Sequence, residues 1–141
     1  MLRKASAEWN GTIKEGGGRI STESGVLADT QYSFSTRFED GIGTNPEELI
    51  AAAHAGCFSM ALSGQLTNAG FTPASINTTA AVRLEKLESG FAVTKVHLEV
   101  TANVPEATED DFQTCAANAK AGCPISKLLN AEITMDAKLV S

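Results

Sequence analysis

The segment from Pro46 to about Ala69 constrains the fold of this chain more than any other. Asn45 suits the N-cap, Pro46 the first helical position, Glu48 the third position of a capping box and Gly70 the C-terminal stop, so the spacing predicts one uninterrupted helix. About 24 residues make a rod roughly 36 Å long. Its interior, from Leu49 to Leu62, is apolar nearly all round and full of small residues. A helix of that kind has little polar face to offer water. It is therefore expected to be buried on most sides, with other backbones packed close against it. For a chain of 141 residues that is more apolar surface than one copy is expected to cover alone, which points to a second copy as partner.

The flanking segments read as cover for this helix. The first forty residues are β-rich: Ala7-Glu8-Trp9 and Gly11-Thr12-Ile13 lead into the turn Gly16-Gly17-Gly18. Gln31 to Glu39 is the clearest strand. Tyr32, Phe34, Thr36 and Phe38 alternate onto one face and leave Ser33, Ser35 and Arg37 on the other, so Arg37 is expected to point away from the local aromatic face. After the helix, Ser75 to Leu87 and Phe91 to Ala102 alternate as a hairpin joined at Ser89-Gly90. Thr108, with Asp111 three positions on, opens a second helix that runs to about Ala121 and stops at Gly122. Cys123-Pro124 opens a short third helical turn, and Ala131 to Val140 reads as a closing strand. This order predicts an α+β fold, with β-sheets packed around a long central helix, rather than a doubly wound sheet. No internal repeat or low-complexity linker interrupts it, so residues 1–141 read as a single domain.

Composition removes several classes of function. With 43% hydrophobic and 20% charged residues, the chain has enough core to fold without a metal or a disulfide framework, which leaves its three cysteines free for chemistry. The net charge of −6 comes without a Lys/Arg cluster that would track a phosphate backbone, so nucleic acid is not an expected partner. The N-terminal residues carry Arg3 and Lys4 but no following apolar run, and do not read as a signal peptide. No apolar stretch reaches about 18 residues without polar interruption, which argues against a membrane span. A reducing, cytoplasmic setting is the expectation.

The three cysteines differ by position. Cys115 shares a helical stripe with Phe112, Ala116 and Ala119 and reads as a buried, inert thiol. Cys57 sits in mid-helix, where periodicity alone makes it core filler and the helix dipole gives no help in lowering its pKa. If it is reactive, another positive group must hold its thiolate. His54, one turn earlier, is in reach to assist, but reads more simply as a satisfied polar residue at a helix surface. Cys123 lies between Gly122, which ends one helix, and Pro124, which begins the next, beside unpaired backbone N–H groups. That placement has exposed, reactive character, although a structural role fits as well. His54, Cys57 and Cys123 together would make a weak metal site, and no metal or cofactor is expected.

Thr36-Arg37-Phe38, the run Gly43-Thr44-Asn45-Pro46-Glu47-Glu48-Leu49, the helix stretch Ala51 to Leu62 with His54-Ala55-Gly56-Cys57-Phe58-Ser59-Met60, and Ala119-Lys120-Ala121-Gly122-Cys123-Pro124 together resemble the osmotically inducible protein C family. The similarity runs from Trp9-Asn10-Gly11 to the final strand. It is closer to the osmotically inducible branch than to the organic hydroperoxide resistance branch, because Arg37 lies shortly before the Asn-Pro-Glu motif. The resemblance implies a cysteine-based hydroperoxide reductase of the OsmC-like fold, working as an intertwined homodimer. By that resemblance Cys57 is the peroxidatic thiol, Cys123 the resolving thiol, and Arg37 and Glu47 the polar pair around the thiolate. An external dithiol, such as a lipoylated protein, would reduce the resulting disulfide. Cys115 matches no family position.

The chemistry suits these residues. Hydroperoxides react with the thiolate, and a sulfenic acid condenses with a nearby thiol to a disulfide. Arg37 offers a fixed, always-charged fork. Glu47 precedes Cys57 by ten residues, about 15 Å along an ideal helix, so it is expected to serve the thiol of the other subunit, with Arg37 in cis or across the dimer. By position alone Glu47 reads as a favourable anion in the first helical turn. Phe38, Leu49, Phe58 and Met60 are the candidates for an apolar wall facing an organic peroxide, although residues of these types on such faces also serve as plain core. The rival reading is a non-enzymatic small-molecule-binding stress protein on the same fold, with incidental cysteines.

Overall fold

The computed structural model describes residues 1–140 and divides the chain into two compact units, Met1–Leu49 and Ile50 onward. In the first unit, β1 (Ala5–Asn10), β2 (Gly17–Thr22) and β3 (Thr30–Tyr32) form an antiparallel sheet in that order. Trp9 pairs with Gly18, which pairs in turn with Tyr32. The two rings close over that position with centroids 5.5 Å apart. A Cβ at Gly18 would run into both rings, so glycine is what lets the aromatic pair form.

The expected strand from Gln31 to Glu39 is only half present, because Phe34–Phe38 is a short helix, α1. Ser33 caps it: its side chain accepts from the Thr36 N–H at 3.2 Å, while the Thr36 hydroxyl oxygen accepts from the Ser33 N–H at 2.8 Å. The spacing of Phe34 and Phe38 satisfies both periods, since residues four apart share a strand face and also meet on a helix. The capping box decides for the helix, and the two rings pack at 4.9 Å. Arg37 accordingly does not point away from the aromatics: its guanidinium carbon lies 5.4 Å from the centre of the Phe38 ring.

Helix α2 spans Pro46–Asn68, as its spacing predicts. The Asn45 side chain accepts from the Glu48 N–H at 2.8 Å and donates to the Thr36 carbonyl at 3.0 Å, tying the start of α2 to α1. The expected capping box is half formed, because the Glu48 carboxylate accepts from the Thr44 hydroxyl instead. At the other end Gly70 takes a φ of +93°, and the Phe71 N–H returns to the Leu66 carbonyl at 2.9 Å.

In the second unit β4 (Ser75–Leu87) and β5 (Gly90–Asn103) form the expected hairpin, and β6 (Glu132–Val140) pairs with β5 in parallel. Helices α3 (Glu109–Gly122) and α4 (Pro124–Leu128) supply the crossover that a parallel pair requires. Alternate residues of β5, Val96, Leu98, Val100 and Ala102, point into one core. Phe58, Leu62 and Leu66 of α2 enter it, as do Phe112, Cys115, Ala116 and Ala119 of α3. The fold is α+β.

One expectation needs correction. Within the chain α2 is not buried on most sides: His54, Phe58, Leu62 and Leu66, a stripe at four-residue steps, are its buried residues, while Ala52, Ala53, Gly56, Met60 and Gly64 are exposed. Small residues make a helix look apolar all round without obliging every face to be covered. By length and composition α2 is also apolar enough to cross a membrane, which the run-length argument missed. Here its large side chains are spent on the core of the second unit. Leu62→Ala should therefore destabilise the protein by about 2–5 kcal/mol in urea unfolding, whereas Thr67→Ala on the exposed side should change it by less than about 0.5 kcal/mol.

Candidate active site

Two helix geometries bring two sulfurs together. Cys57 projects from the middle of α2. Cys123 stands where α3 ends and α4 begins: its N–H closes the last turn of α3 onto the Ala119 carbonyl at 2.9 Å, and it is also the N-cap of α4, whose first residue is Pro124. Proline cannot donate to the preceding turn, so the chain must turn there, and the turn aims Cys123 at α2. The two Sγ atoms are 2.7 Å apart, in free thiols. Disulfide formation requires only a small further approach.

A second contact runs beside the first. Three residues before Cys57 on α2, the His54 ring meets the hydroxyl of Ser126, three residues after Cys123 on α4; Nε2 and Oγ are 2.8 Å apart. Residues three apart share a helix face, so α2 and α4 are joined by two rungs, one of sulfurs and one of imidazole and hydroxyl. His54 and Cys123 are fully buried, Ser126 nearly so, and Cys57 is partly exposed. The expectation of an exposed Cys123 is thus corrected, because α3 and α4 enclose it. So is that of a surface His54. Ser126 was not singled out in the sequence, though its position three residues after an N-cap is the signal that would have found it.

The thiols differ electrostatically. Burial pushes the Cys57 thiol up, the hydrogen bond with Cys123 adds to this, and the Ile125 N–H offsets part of it. Burial also works against the Cys123 thiolate, but the neighbouring Cys57 sulfur and the start of α4 at Ser126 and Ile125 outweigh it, so Cys123 falls below its ordinary value. Cys115, buried on α3, is pushed up by burial and by Asp111 and lies in the core, as expected of an inert thiol.

Arg37 and Glu47 meet within the first unit. The guanidinium grips the carboxylate with two nitrogens, Nη2 to Oε1 at 2.8 Å and Nε to Oε1 at 3.1 Å, a fork that lysine would not reproduce. Of the proposed apolar wall, Phe38 and Leu49 belong to the first unit and are partly exposed. In the second unit Phe58 is fully buried in the core and Met60 is 79% exposed, so these two do not form one wall. Met60, three residues after Cys57, is the one that shares the thiol's face. Among the described residues the ligand atoms of His54, Cys57 and Cys123 do not converge as a metal site would require; the group that does is His97, Glu99 and Asp136, on the solvent side of the second sheet.

Burial holds His54 below its ordinary pKa of 6.5. The unfolded chain then takes up a proton near pH 6.5 that the folded chain refuses, so this residue's contribution to stability is present above that pH and is lost as the pH falls toward the folded value. The urea midpoint of the reduced protein should fall between pH 7.5 and 5.5, and His54→Gln should flatten that fall. An unchanged pH dependence in the variant would contradict it.

The geometry now meets three comparisons. The model of the OsmC-like protein family matches residues 39–138, a stretch that contains both sulfurs and Glu47. Peroxiredoxin OsmC of Escherichia coli is 56% identical over 139 residues, covering 99% of this chain and 97% of that protein. The crystal structure of the organic hydroperoxide resistance protein OhrB of Bacillus subtilis superposes with a TM-score of 0.71 at 25% identity, covering 96% of this chain and 98% of the other. An OsmC-like protein of Vibrio cholerae shares the fold, with a TM-score of 0.77 at 16% identity and coverage of 97% and 99%. With the paired cysteines in place and a family match across most of its length, this chain belongs to the OsmC-like protein family.

Proposed function

We propose that the chain is a thiol-dependent peroxidase that reduces organic hydroperoxides through Cys57 and Cys123. The observation that carries this reading is the contact of two free thiols at 2.7 Å with unequal access to solvent. The partly exposed Cys57 is placed to meet substrate, and the fully buried Cys123 is placed to meet only Cys57. The names of its relatives, a peroxiredoxin and organic hydroperoxide resistance proteins, agree with it. A non-enzymatic binder leaves the paired thiols without a purpose.

The steps follow from the contact of the two thiols. Cys57 passes its proton to Cys123 and attacks the peroxide as thiolate; the S–O bond forms, the O–O bond breaks, and the departing alkoxide takes that proton from Cys123 and leaves as alcohol. Cys123, now a thiolate, attacks the Cys57 sulfur; the S–S bond forms, the S–O bond breaks, and the hydroxide takes up a proton from solvent and leaves as water. An external dithiol, which we take to be a lipoylated protein or a similar carrier, reduces the disulfide and is itself oxidised. A reducing cytoplasm would keep that carrier supplied.

Arg37 and Glu47 supply the remaining charge in this reading. We assign Arg37 to the Cys57 thiolate, with Glu47 fixing its fork, and expect both from the second subunit of an intertwined homodimer. The uncovered small-residue face of α2 supports a dimer, because Ala52, Ala53, Gly56 and Gly64 allow close approach of another backbone. Met60 and, from the partner, Phe38 and Leu49 are the apolar groups assigned to an organic substrate.

Turnover with tert-butyl hydroperoxide and a dithiol tests the reading. Cys57→Ser should abolish it. Cys123→Ser should consume about two equivalents of peroxide per chain and then fail, with Cys57 carried through the sulfenic to the sulfinic acid. Cys115→Ser should turn over as the parent does. Full turnover in Cys57→Ser would refute the proposal.

A further inference from the structure

The imidazole and hydroxyl rung has no part in the steps just given, yet it places a polar ring on the buried stripe of α2. His54 is fully buried, its Nδ1 has no hydrogen-bond partner among the described residues, and the ring is anchored through the Nε2 that meets Ser126. A buried polar side chain half unsatisfied costs free energy that an apolar residue at this stripe position would not, Phe58, Leu62 and Leu66 being its neighbours on the stripe.

The bonding fixes its form. A proton on Nδ1 would leave a buried N–H with no acceptor, and a protonated ring would add a desolvated charge to that loss. The neutral ring with its proton on Nε2 leaves only a lone pair unpaired and makes His54 the donor to Ser126 Oγ. The Ser126 oxygen is then occupied as an acceptor, and its own proton is free to point elsewhere. Ser126 is the third residue of α4 and Cys123 is the cap, so the two side chains stand one helical turn apart, within reach of each other.

We propose that His54 is a positioning residue for the resolving thiol: by donating from Nε2 to Ser126 Oγ it turns the Ser126 hydroxyl proton onto Cys123 Sγ and holds Cys123 ready as thiolate to attack oxidised Cys57. This rests on the peroxidase reading above. It explains why the two rungs share a three-residue spacing on both helices, since a hydroxyl one turn from Cys123 must be oriented from one turn beside Cys57. It also separates the two thiols functionally. The His54 relay acts on the second chemical step, the condensation, and not on attack of the peroxide.

Rapid-quench kinetics with tert-butyl hydroperoxide at one fixed pH separates those steps, with sulfenic acid trapped by dimedone and disulfide read by mass. His54→Leu and Ser126→Ala should each prolong the sulfenic acid about tenfold relative to its rate of formation, the loss of one hydrogen bond to a charged sulfur. His54→Gln, which keeps an N–H donor at the Nε2 position, should restore condensation to within about threefold of the parent. The double variant His54→Leu/Ser126→Ala should be no slower than either single one, because both remove the same bond. Far-UV circular dichroism melts confirm that each variant is folded. Condensation at the parent rate in folded His54→Leu, or His54→Gln as slow as His54→Leu, would overturn the inference. A parent chain that forms no sulfenic acid at all would overturn the peroxidase reading, and the relay with it.

Discussion

Everything distinctive about this structure depends on a turn between two helices. Gly122 and Pro124 cannot both continue one helix, and the residue between them is a cysteine. Its sulfur is delivered to 2.7 Å from Cys57 by the packing of α3 into the same core that takes Phe58, Leu62 and Leu66 from α2. A helix carried through Cys123 would rotate that sulfur by about 100° per residue and separate the pair. The core thus sets the sulfur distance, and the break sets the direction.

That contact explains how a mid-helix cysteine without dipole assistance becomes useful. A lone Cys57 in this setting would be held as thiol by desolvation. Placed against Cys123, whose pKa is lowered beside the start of α4, it has a second sulfur in contact that can take up its proton. The pair is unequal in access: Cys57 is partly exposed and Cys123 fully buried. Arg37 is gripped by Glu47 within the first unit.

Much of this was legible in the sequence where local chemistry is decisive. The caps of α2 and α3, the hairpin from Ser75 to Asn103 and the break at Cys123 follow from Asn45-Pro46, Thr108 with Asp111, the turn before Gly90, and Gly122 with Pro124. The aromatic alternation at Phe34 and Phe38 misled, because a spacing of four fits helix and strand alike, and a two-residue capping contact settled it. Burial was harder to read. Alanine and glycine carry no signal of which face is covered, so α2 looked uniformly buried. Nothing local to His54 or Cys123 reveals that each is enclosed by a helix about 70 residues away. The His54 and Ser126 contact was invisible for the same reason: it is made only by tertiary packing.

The most direct test of the account is the fate of the sulfurs after a single turnover. The reduced protein is treated with one equivalent of tert-butyl hydroperoxide, alkylated, digested without reductant and mapped by mass. The account predicts a peptide pair joined through Cys57 and Cys123 within one chain, with Cys115 recovered as the alkylated thiol. Recovery of Cys123 as a free alkylated thiol, or a disulfide joining Cys57 to Cys115 or to Cys57 of a second chain, would contradict it.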